Sequence, residues 1–154
     1  MTLWGGRFSE SPADSLFALS RSVQFDWRLA PYDIVSSVAH LEVLESSRLL
    51  PKADCAKIRS ALTNLFSEVQ SGKFLPLPED EDVHSALERG LTEKIGVIGS
   101  AIRAGRSRND QVTTDLKLYL IDNMLEISIA VLHLQEALLA KSLEYVDAIA
   151  PGFT

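Results

Sequence analysis

Hydrophobic residues recur at helical spacing in five stretches of the chain, and no stretch alternates apolar and polar residues over a useful length. Because a half-buried strand needs that alternation, the pattern predicts an all-α fold without strands. The stretch after Pro51 carries apolar residues at helical spacing from Ile58 to Val69 and ends at Gly72, a residue that commonly stops helices. The predicted helices cover residues 11–20, 31–48, 52–71, 79–95 and 110–146.

The segments between these helices contain helix breakers or lack periodicity. Trp4–Phe8 is predicted to be an extended arm, and Ser11-Pro12 to start the first helix. Ser22–Asp26 is predicted to be a connecting loop, because it is short and polar and Pro31 disfavours the α conformation at the preceding residue. Gly96–Gly105 holds several glycines and is predicted to be a hinge or loop.

The last helix is the longest, since neither Gly nor Pro occurs between Asp110 and Val146. Roughly 35 residues at about 1.5 Å each make a rod of about 50 Å, whereas a compact monomer of this size has a radius of gyration of about 15 Å. Its apolar residues cover more than one face, so it requires partner helices from other copies or from missing sequence. We expect residues 1–105 to form an N-terminal helical domain, and 106–154 to be the truncated start of a helical bundle.

Composition narrows the class of protein. The 154 residues are 46% hydrophobic and 23% charged with a net charge of -6, typical of a soluble globular protein and unfavourable for nucleic-acid binding. No signal peptide or membrane-spanning run is visible. The single Cys55 excludes an internal disulfide, and these features together predict a cytoplasmic protein.

Three arginines lie at the start of the longest helix. Arg103, Arg106 and Arg108 add full positive charges to unpaired N–H groups and the positive end of the helix dipole. Ser107 and Asn109 are residue types that favour helix caps. The combination predicts a receptor for a carboxylate or phosphate, and the alternative is a solvated, arginine-rich loop.

An acid–histidine cluster precedes this segment. Asp80, His84 and Glu88 share one face if they lie on a helix, and Asp82 lies between them. The cluster is open to three interpretations: an acidic helix start with a surface histidine, a metal site, or part of an active site. The metal interpretation is weak, because Glu81-x-x-His84 has no second Glu-x-x-His partner.

Four motifs are spread in order along the chain: Trp4–Phe8, Ser22–Leu29, Glu81–Ser85 and Gly105–Val112, the last containing Ser-Arg-Asn-Asp-Gln. These motifs resemble the N-terminal part of the argininosuccinate lyase family, in the fumarase/aspartase superfamily. The family usually has His-Thr where this chain has Arg103-Ala104, and Gly where it has Ser36. We therefore expect a local difference in the loop before the long helix.

The resemblance implies an L-aspartase-like central bundle and a homotetramer with active sites shared between subunits. The implied reaction is the reversible elimination of argininosuccinate to arginine and fumarate, without cofactor or metal. The family's catalytic histidine follows the threonine that matches Thr154 and its catalytic serine lies much further on, so this fragment alone is expected to be inactive. The implied substrate-binding residues are Ser22, Asp26, Asp82, His84, Arg108, Asn109 and Thr154, with His84 as a possible catalytic contributor.

Two alternatives belong to other functional classes. The same fold serves without catalysis as a lens crystallin, and a helical interaction module would show the same periodicity. Sequence beyond Thr154 distinguishes them, since a histidine at the next position and a later Gly-Ser-Ser loop would indicate the enzyme.

Overall fold

The structure is a computed structural model that describes residues 13–152. Within that range it contains helices and no strand, as the apolar spacing predicts. The predicted arm at Trp4–Phe8, the predicted helix start at Ser11-Pro12 and the site residue Thr154 lie outside the described residues. The elements are α1 (Asp14–Ser20), α2 (Val23–Asp26), a 3-10 helix (Trp27–Leu29), α3 (Ala30–Ser46), α4 (Lys52–Gln70), α5 (Val83–Ile95), a second 3-10 helix (Gly96–Arg103) and α6 (Arg108–Glu144).

Helices α3, α4 and α5 pack on one another and form the core of the first part of the chain. Each contributes one buried apolar stripe at helical spacing, so the hydrophobic effect favours their association. The predicted hairpin of α3 and α4 is confirmed. The largest fully buried apolar side chains are Leu41, Leu44, Ile58, Leu62, Leu65 and Val83.

The helix ends follow from local chemistry. Gly72 and Gly96 have φ of 69° and 73° after α4 and α5, a conformation that favours glycine. At the start of α5, the Asp82 carboxylate accepts the Ser85 N–H at 2.7 Å, and the Ser85 hydroxyl accepts the Asp82 N–H at 3.0 Å. This capping box fixes the position of Asp82 relative to α5.

Two predicted loops are wrong, because residues 23–29 and 96–103 are helical. Ala30 has φ −54° and ψ −44° despite the following proline. Pro31 lies in the first turn of α3, where its missing N–H is not needed. In the second segment, a Cβ on Gly99 would lie 2.8 Å from the Leu91 carbonyl carbon, so glycine there permits close packing rather than a hinge.

The acidic run before α5 is not part of that helix, so Asp80 does not share a helical face with His84, contrary to the prediction. Instead Asp80 is buried and accepts the Leu77 N–H at 2.7 Å. Arg89 binds the same carboxylate with Nε at 3.0 Å and Nη2 at 2.9 Å, and its guanidinium lies 5.0 Å from the Phe74 ring centre. These contacts hold the link between α4 and α5 against the core.

Replacing Asp80 with asparagine is expected to lower the free energy of unfolding by about 2 kcal/mol, because the partly buried guanidinium of Arg89 loses the charge of its buried carboxylate partner. The measurement is urea denaturation of the two proteins. Glu93→Gln is the matched control: Glu93 binds the same Arg89 at 3.0 Å but is 57% exposed, so its change is expected to stay below about 0.5 kcal/mol. Equal losses for both variants would contradict the argument.

The described chain divides into two units, with the division between Leu116 and Lys117. The second unit consists largely of the remainder of α6, and the whole of that helix spans 37 residues, or about 55 Å. No helix in residues 13–152 is both long and apolar enough to cross a bilayer. Large apolar residues of α6 in this unit are between 46% and 67% exposed: Leu120, Ile121, Met124, Leu125, Ile127, Ile129, Val131, Leu132, Leu134, Leu138, Leu139 and Leu143.

Candidate functional site

Arg108 and Asn109 are the first two residues of the longest helix, as the sequence predicts. The Ser107 hydroxyl accepts the Asn109 N–H at 2.9 Å, and the Ser107 carbonyl accepts the Gln111 N–H at 3.2 Å. Ser107 therefore caps the helix, while the Asn109 side chain is exposed. The first turn of α6 leaves N–H groups and the positive end of its dipole beside Arg108.

The three arginines have different surroundings. Arg103 is half exposed and pairs with Glu88 at 3.2 Å. Arg106 donates to the hydroxyls of Ser37 at 2.7 Å and Ser36 at 2.6 Å. Two of the three arginines are thus already bound within the protein, so the predicted joint anion receptor is reduced to Arg108.

Arg108 retains unused hydrogen-bonding capacity. Its Nε lies 3.7 Å from Asp82 Oδ2, and its Nη2 is buried without a hydrogen-bond partner in the described chain. A buried donor without a partner is costly and unusual in a native protein. The guanidinium is therefore available for an oxyanion that residues 13–152 do not supply.

Asp26 is joined to the start of α5 from a distant part of the sequence. Its carboxylate accepts the Val83 N–H at 3.1 Å and the Ser22 hydroxyl at 2.5 Å, and the Ser22 N–H donates to the Glu81 carbonyl at 2.8 Å. Burial raises the pKa of Asp26, the Ser22 hydrogen bond opposes this, and the negative charge of Asp82 raises it further. Asp26 and Asp82 thus form a pair of acids whose repulsion is incompletely compensated.

His84 belongs to a buried polar network that the sequence did not reveal. Its Nδ1 lies 2.7 Å from Asp33 Oδ2, with both side chains at least 96% buried. Asp33 Oδ1 accepts the Ser37 hydroxyl at 3.0 Å and the Gln111 amide at 2.8 Å. Asp115 is fully buried and its Oδ1 accepts the Ser36 hydroxyl at 2.6 Å, while its Oδ2 has no hydrogen-bond partner among the residues that the structure describes.

The two buried acids have opposite pKa shifts. Burial alone would raise the pKa of Asp33, but hydrogen bonds and charge from His84, with help from Gln111 and Arg106, lower it below its usual value. For Asp115, burial and then the negative charge of Asp33 raise the pKa to about 6, against the Ser36 hydrogen bond. Below about pH 6 this network therefore holds an additional proton.

Asp33, His84 and Asp115 are a group in the described chain with potential ligand atoms within 4.8 Å of one another. The closest two, His84 Nδ1 and Asp33 Oδ2, already share a hydrogen bond. The Arg106 guanidinium lies 3.9 Å from Asp33 and already balances the negative charge that a metal ion would otherwise balance. The donor set thus matches a proton-sharing network better than a cation site.

The buried network includes several residues outside the predicted site. Asp33 and Ser37 are four residues apart, as are Gln111 and Asp115, and polar pairs at helical spacing among apolar residues were the available signal. Ser36 stands where the family that the motifs resemble usually has glycine. Its hydroxyl accepts a hydrogen bond from Arg106 and donates one to Asp115.

A cavity of about 30 Å³ adjoins this network, which is room for about one water molecule. Polar and apolar side chains both contribute to its wall, so it lies between the network and the core of α3, α4 and α5. The polar lining comes from Asp33, Ser37, His84, Glu88, Arg103, Arg106, Arg108 and Gln111.

Residues 6–154 match a family model described as "Lyase". The chain therefore belongs to this lyase family of the fumarase/aspartase superfamily. It is 52% identical to argininosuccinate lyase from Frankia casuarinae over 154 residues, covering 100% of this chain and 33% of the relative. The corresponding protein from Corynebacterium glutamicum is 48% identical over 153 residues, covering 99% and 32%.

A third relative, argininosuccinate lyase from Acidothermus cellulolyticus, is 49% identical over 152 residues, covering 99% of this chain and 31% of the relative. The chain thus spans about a third of the length of the curated relatives that it matches. The resemblance stated from the sequence motifs is confirmed, as is the all-α class.

Proposed function

We propose that this chain supplies substrate-binding groups to an argininosuccinate lyase, which splits argininosuccinate reversibly into arginine and fumarate during arginine biosynthesis. The observation that supports the proposal most is the meeting of an acid pair with a partly unpaired arginine. Asp26 from α2, Asp82 before α5 and Arg108 at the start of α6 come together from three separate parts of the sequence.

Argininosuccinate matches this distribution of charge, since it carries carboxylates together with a guanidinium group. In the proposal, Arg108, Asn109 and Ser22 bind carboxylate oxygens, with Thr154 added by resemblance. A guanidinium beside Asp26 and Asp82 would relieve their repulsion, because an opposite charge stabilises both carboxylates.

The proposed reaction breaks the bond between a guanidinium nitrogen and a succinate carbon. A base removes the Cβ proton, the resulting carbanion is delocalised onto a carboxylate, and the departing nitrogen takes up a proton as the C–N bond breaks. Preorganised positive charge at Arg108 and the α6 N-terminus favours the intermediate, because the negative charge grows on the carboxylate. The resemblance assigns the acid/base groups to a histidine directly after Thr154 and to a later serine, and involves no cofactor or metal.

The proposed assembly is a cytoplasmic homotetramer in which several subunits contribute to each active site. Its support is the exposed apolar surface of α6 between Leu120 and Leu143, which a solvated monomer would leave in water. In this proposal residues 106–154 begin the central bundle and residues 1–105 form the N-terminal domain. Neither nucleic acid nor a membrane takes part.

Arg108→Lys in the complete protein tests the binding role. Turnover is followed by the absorbance of fumarate, and the Michaelis constant is expected to rise about 10- to 100-fold, since a lysine cannot replace a guanidinium fork on a carboxylate. Arg103→Lys is the matched control, because Arg103 is exposed and pairs with Glu88. No fumarate from the unaltered protein would refute the function and favour a structural role, whereas equal constants for both variants would refute the role of Arg108.

Residues 1–154 alone are expected to release no fumarate from argininosuccinate. Binding groups without acid/base groups stabilise substrate and transition state alike and therefore give little acceleration. The measurement compares this chain with the same chain mixed with a separately expressed segment that resumes after Thr154. Turnover by residues 1–154 alone would place the catalytic groups within them, and His84 would then be the first candidate for acid/base catalysis.

A further inference from the structure

The two ring nitrogens of His84 have different surroundings. Nδ1 lies 2.7 Å from Asp33 Oδ2 inside the buried network, and no described residue forms a hydrogen bond with Nε2. The ring also lines the cavity that Arg108 and Gln111 border. The Nδ1 edge of the imidazole is thus held by Asp33, while Nε2 has no hydrogen-bond partner among the described residues.

We propose that Asp33 is a positioning residue that holds His84 in the Nδ1–H tautomer, so that Nε2 accepts a hydrogen bond from an N–H group of the substrate. The proposal rests on the proposed function for the identity of that substrate. A neutral imidazole has one donor and one acceptor nitrogen, so a proton fixed on Nδ1 leaves the Nε2 lone pair free. His84 then joins Asp26 and Asp82 as an acceptor for the nitrogen-rich part of the substrate.

The hydrogen bonds around Asp33 determine which way the proton lies. Its Oδ1 already accepts from the Ser37 hydroxyl and the Gln111 amide, so the whole carboxylate acts as an acceptor. Burial opposes ionisation of Asp33, but hydrogen bonds from His84 and Gln111 and the charge of Arg106 keep its pKa below the usual value, so it remains ionised at neutral pH. Because an ionised carboxylate cannot donate, Nδ1 must carry the proton that lies between the two groups.

The substitution Asp33→Asn is expected to reverse this arrangement. If the amide oxygen remained beside Ser37 and Gln111, two hydrogen bonds would survive and the amide NH₂ would face His84. An NH₂ group facing Nδ1 requires Nδ1 to be the acceptor, which moves the ring proton to Nε2. Asp33→Asn would therefore remove the acceptor at Nε2 with almost no change in side-chain shape.

Asp115 provides the matched control. It is also buried and acidic, but its Oδ2 lies 3.8 Å from His84 Nδ1, beyond hydrogen-bonding distance. Asp115→Asn removes a nearby negative charge while leaving the Asp33 contact in place. The tautomer is therefore expected to be unchanged in that variant.

Solid-state ¹⁵N NMR of the complete protein, labelled at histidine, reads the tautomer directly, and the His84→Gln spectrum identifies the signal of His84. At pH 8 the unaltered protein and Asp115→Asn are expected to show a neutral ring with the proton on Nδ1, shifted far downfield by the carboxylate. Asp33→Asn is expected to show it on Nε2. A proton on Nε2 of the unaltered protein, a doubly protonated ring, or Nδ1–H in Asp33→Asn would overturn the proposal.

The spectrum of the unaltered protein decides the matter even if Asp33→Asn does not fold, because the Nδ1 proton shift itself reports the contact with the carboxylate. Kinetics give a second readout: Asp33→Asn is expected to raise the Michaelis constant for argininosuccinate about tenfold, with a much smaller change in kcat. A fall in kcat alone would count against a binding role for Nε2. Absence of turnover in the unaltered protein would refute the proposed lyase function. The tautomer of His84 would then be tested by the NMR spectrum alone.

Discussion

Replacing Leu125, Leu132 and Leu139 with glutamate is expected to convert residues 1–154 from a self-associating chain into a monomer. The three leucines are 57% to 61% exposed and recur every seven residues along α6, so they lie on one stripe of the helix. Fully burying one leucine contributes about 1.5–3 kcal/mol, and the stripe is repeated in every copy that associates. A glutamate at each position would instead place three charges in the contact.

Sedimentation velocity at micromolar concentration measures the effect. The control variant carries Ser128→Glu, Gln135→Glu and Ser142→Glu, which add the same charge at the same seven-residue spacing on exposed polar positions of α6. It is expected to associate more strongly than the leucine variant. A well-behaved monomer formed by the unaltered chain would contradict both this prediction and the argument that α6 belongs to a bundle.

The long helices were predictable because their apolar residues repeat at a spacing that local sequence displays. Helices α3 to α6 begin and end within a few residues of the predicted bounds. The short α1 was also predictable from its apolar spacing, whereas the elements within residues 23–29 and 96–103 were not, since three to eight residues carry too little periodicity to separate a helical turn from a loop. Gly99 illustrates the limit: whether a glycine permits motion or close packing depends on Leu91, eight residues away in sequence.

The site was only partly predictable for a related reason. The acid run before α5 gave no local sign that Asp80 binds Arg89 while Asp82 caps α5 beside Arg108. Asp33 and Asp115 are 82 residues apart, and each looks like an ordinary polar position on a helix. Their proximity depends on how α3, α5 and the start of α6 pack, and no local pattern encodes that arrangement.

Asp115→Asn is expected to stabilise the protein at pH 8 by up to about 3 kcal/mol, because it removes the cost of ionising a buried carboxyl. The pKa of Asp115 is about 6 in the folded protein and near 3.8 when the group is unperturbed. The folded state therefore binds more protons than the unfolded state between these values. Stability falls as pH rises through this interval, and the full cost remains above about pH 6.

The groups that face Asp115 determine this cost. Asp33 on α3 raises its pKa by repulsion, while the Ser36 hydroxyl, His84 on α5 and Arg106 lower it. Asparagine keeps the shape of the side chain, and its amide can donate to the Ser36 hydroxyl, which is free to donate to the Asp33 carbonyl at 3.1 Å. The contacts of Asp33 are the same in the unaltered protein and in Asp115→Asn. The difference between their free energies of unfolding therefore reports mainly on Asp115.

Urea denaturation between pH 4 and pH 8 measures the difference. The two proteins are expected to have similar free energies of unfolding near pH 4, where Asp115 is largely protonated in the folded state. Their curves should separate through about pH 6, with the asparagine variant above the unaltered protein. A constant offset across this range would mean that Asp115 does not titrate there, and a variant less stable at pH 8 would mean that its ionised carboxylate is stabilised by Arg106 more than burial and Asp33 oppose it.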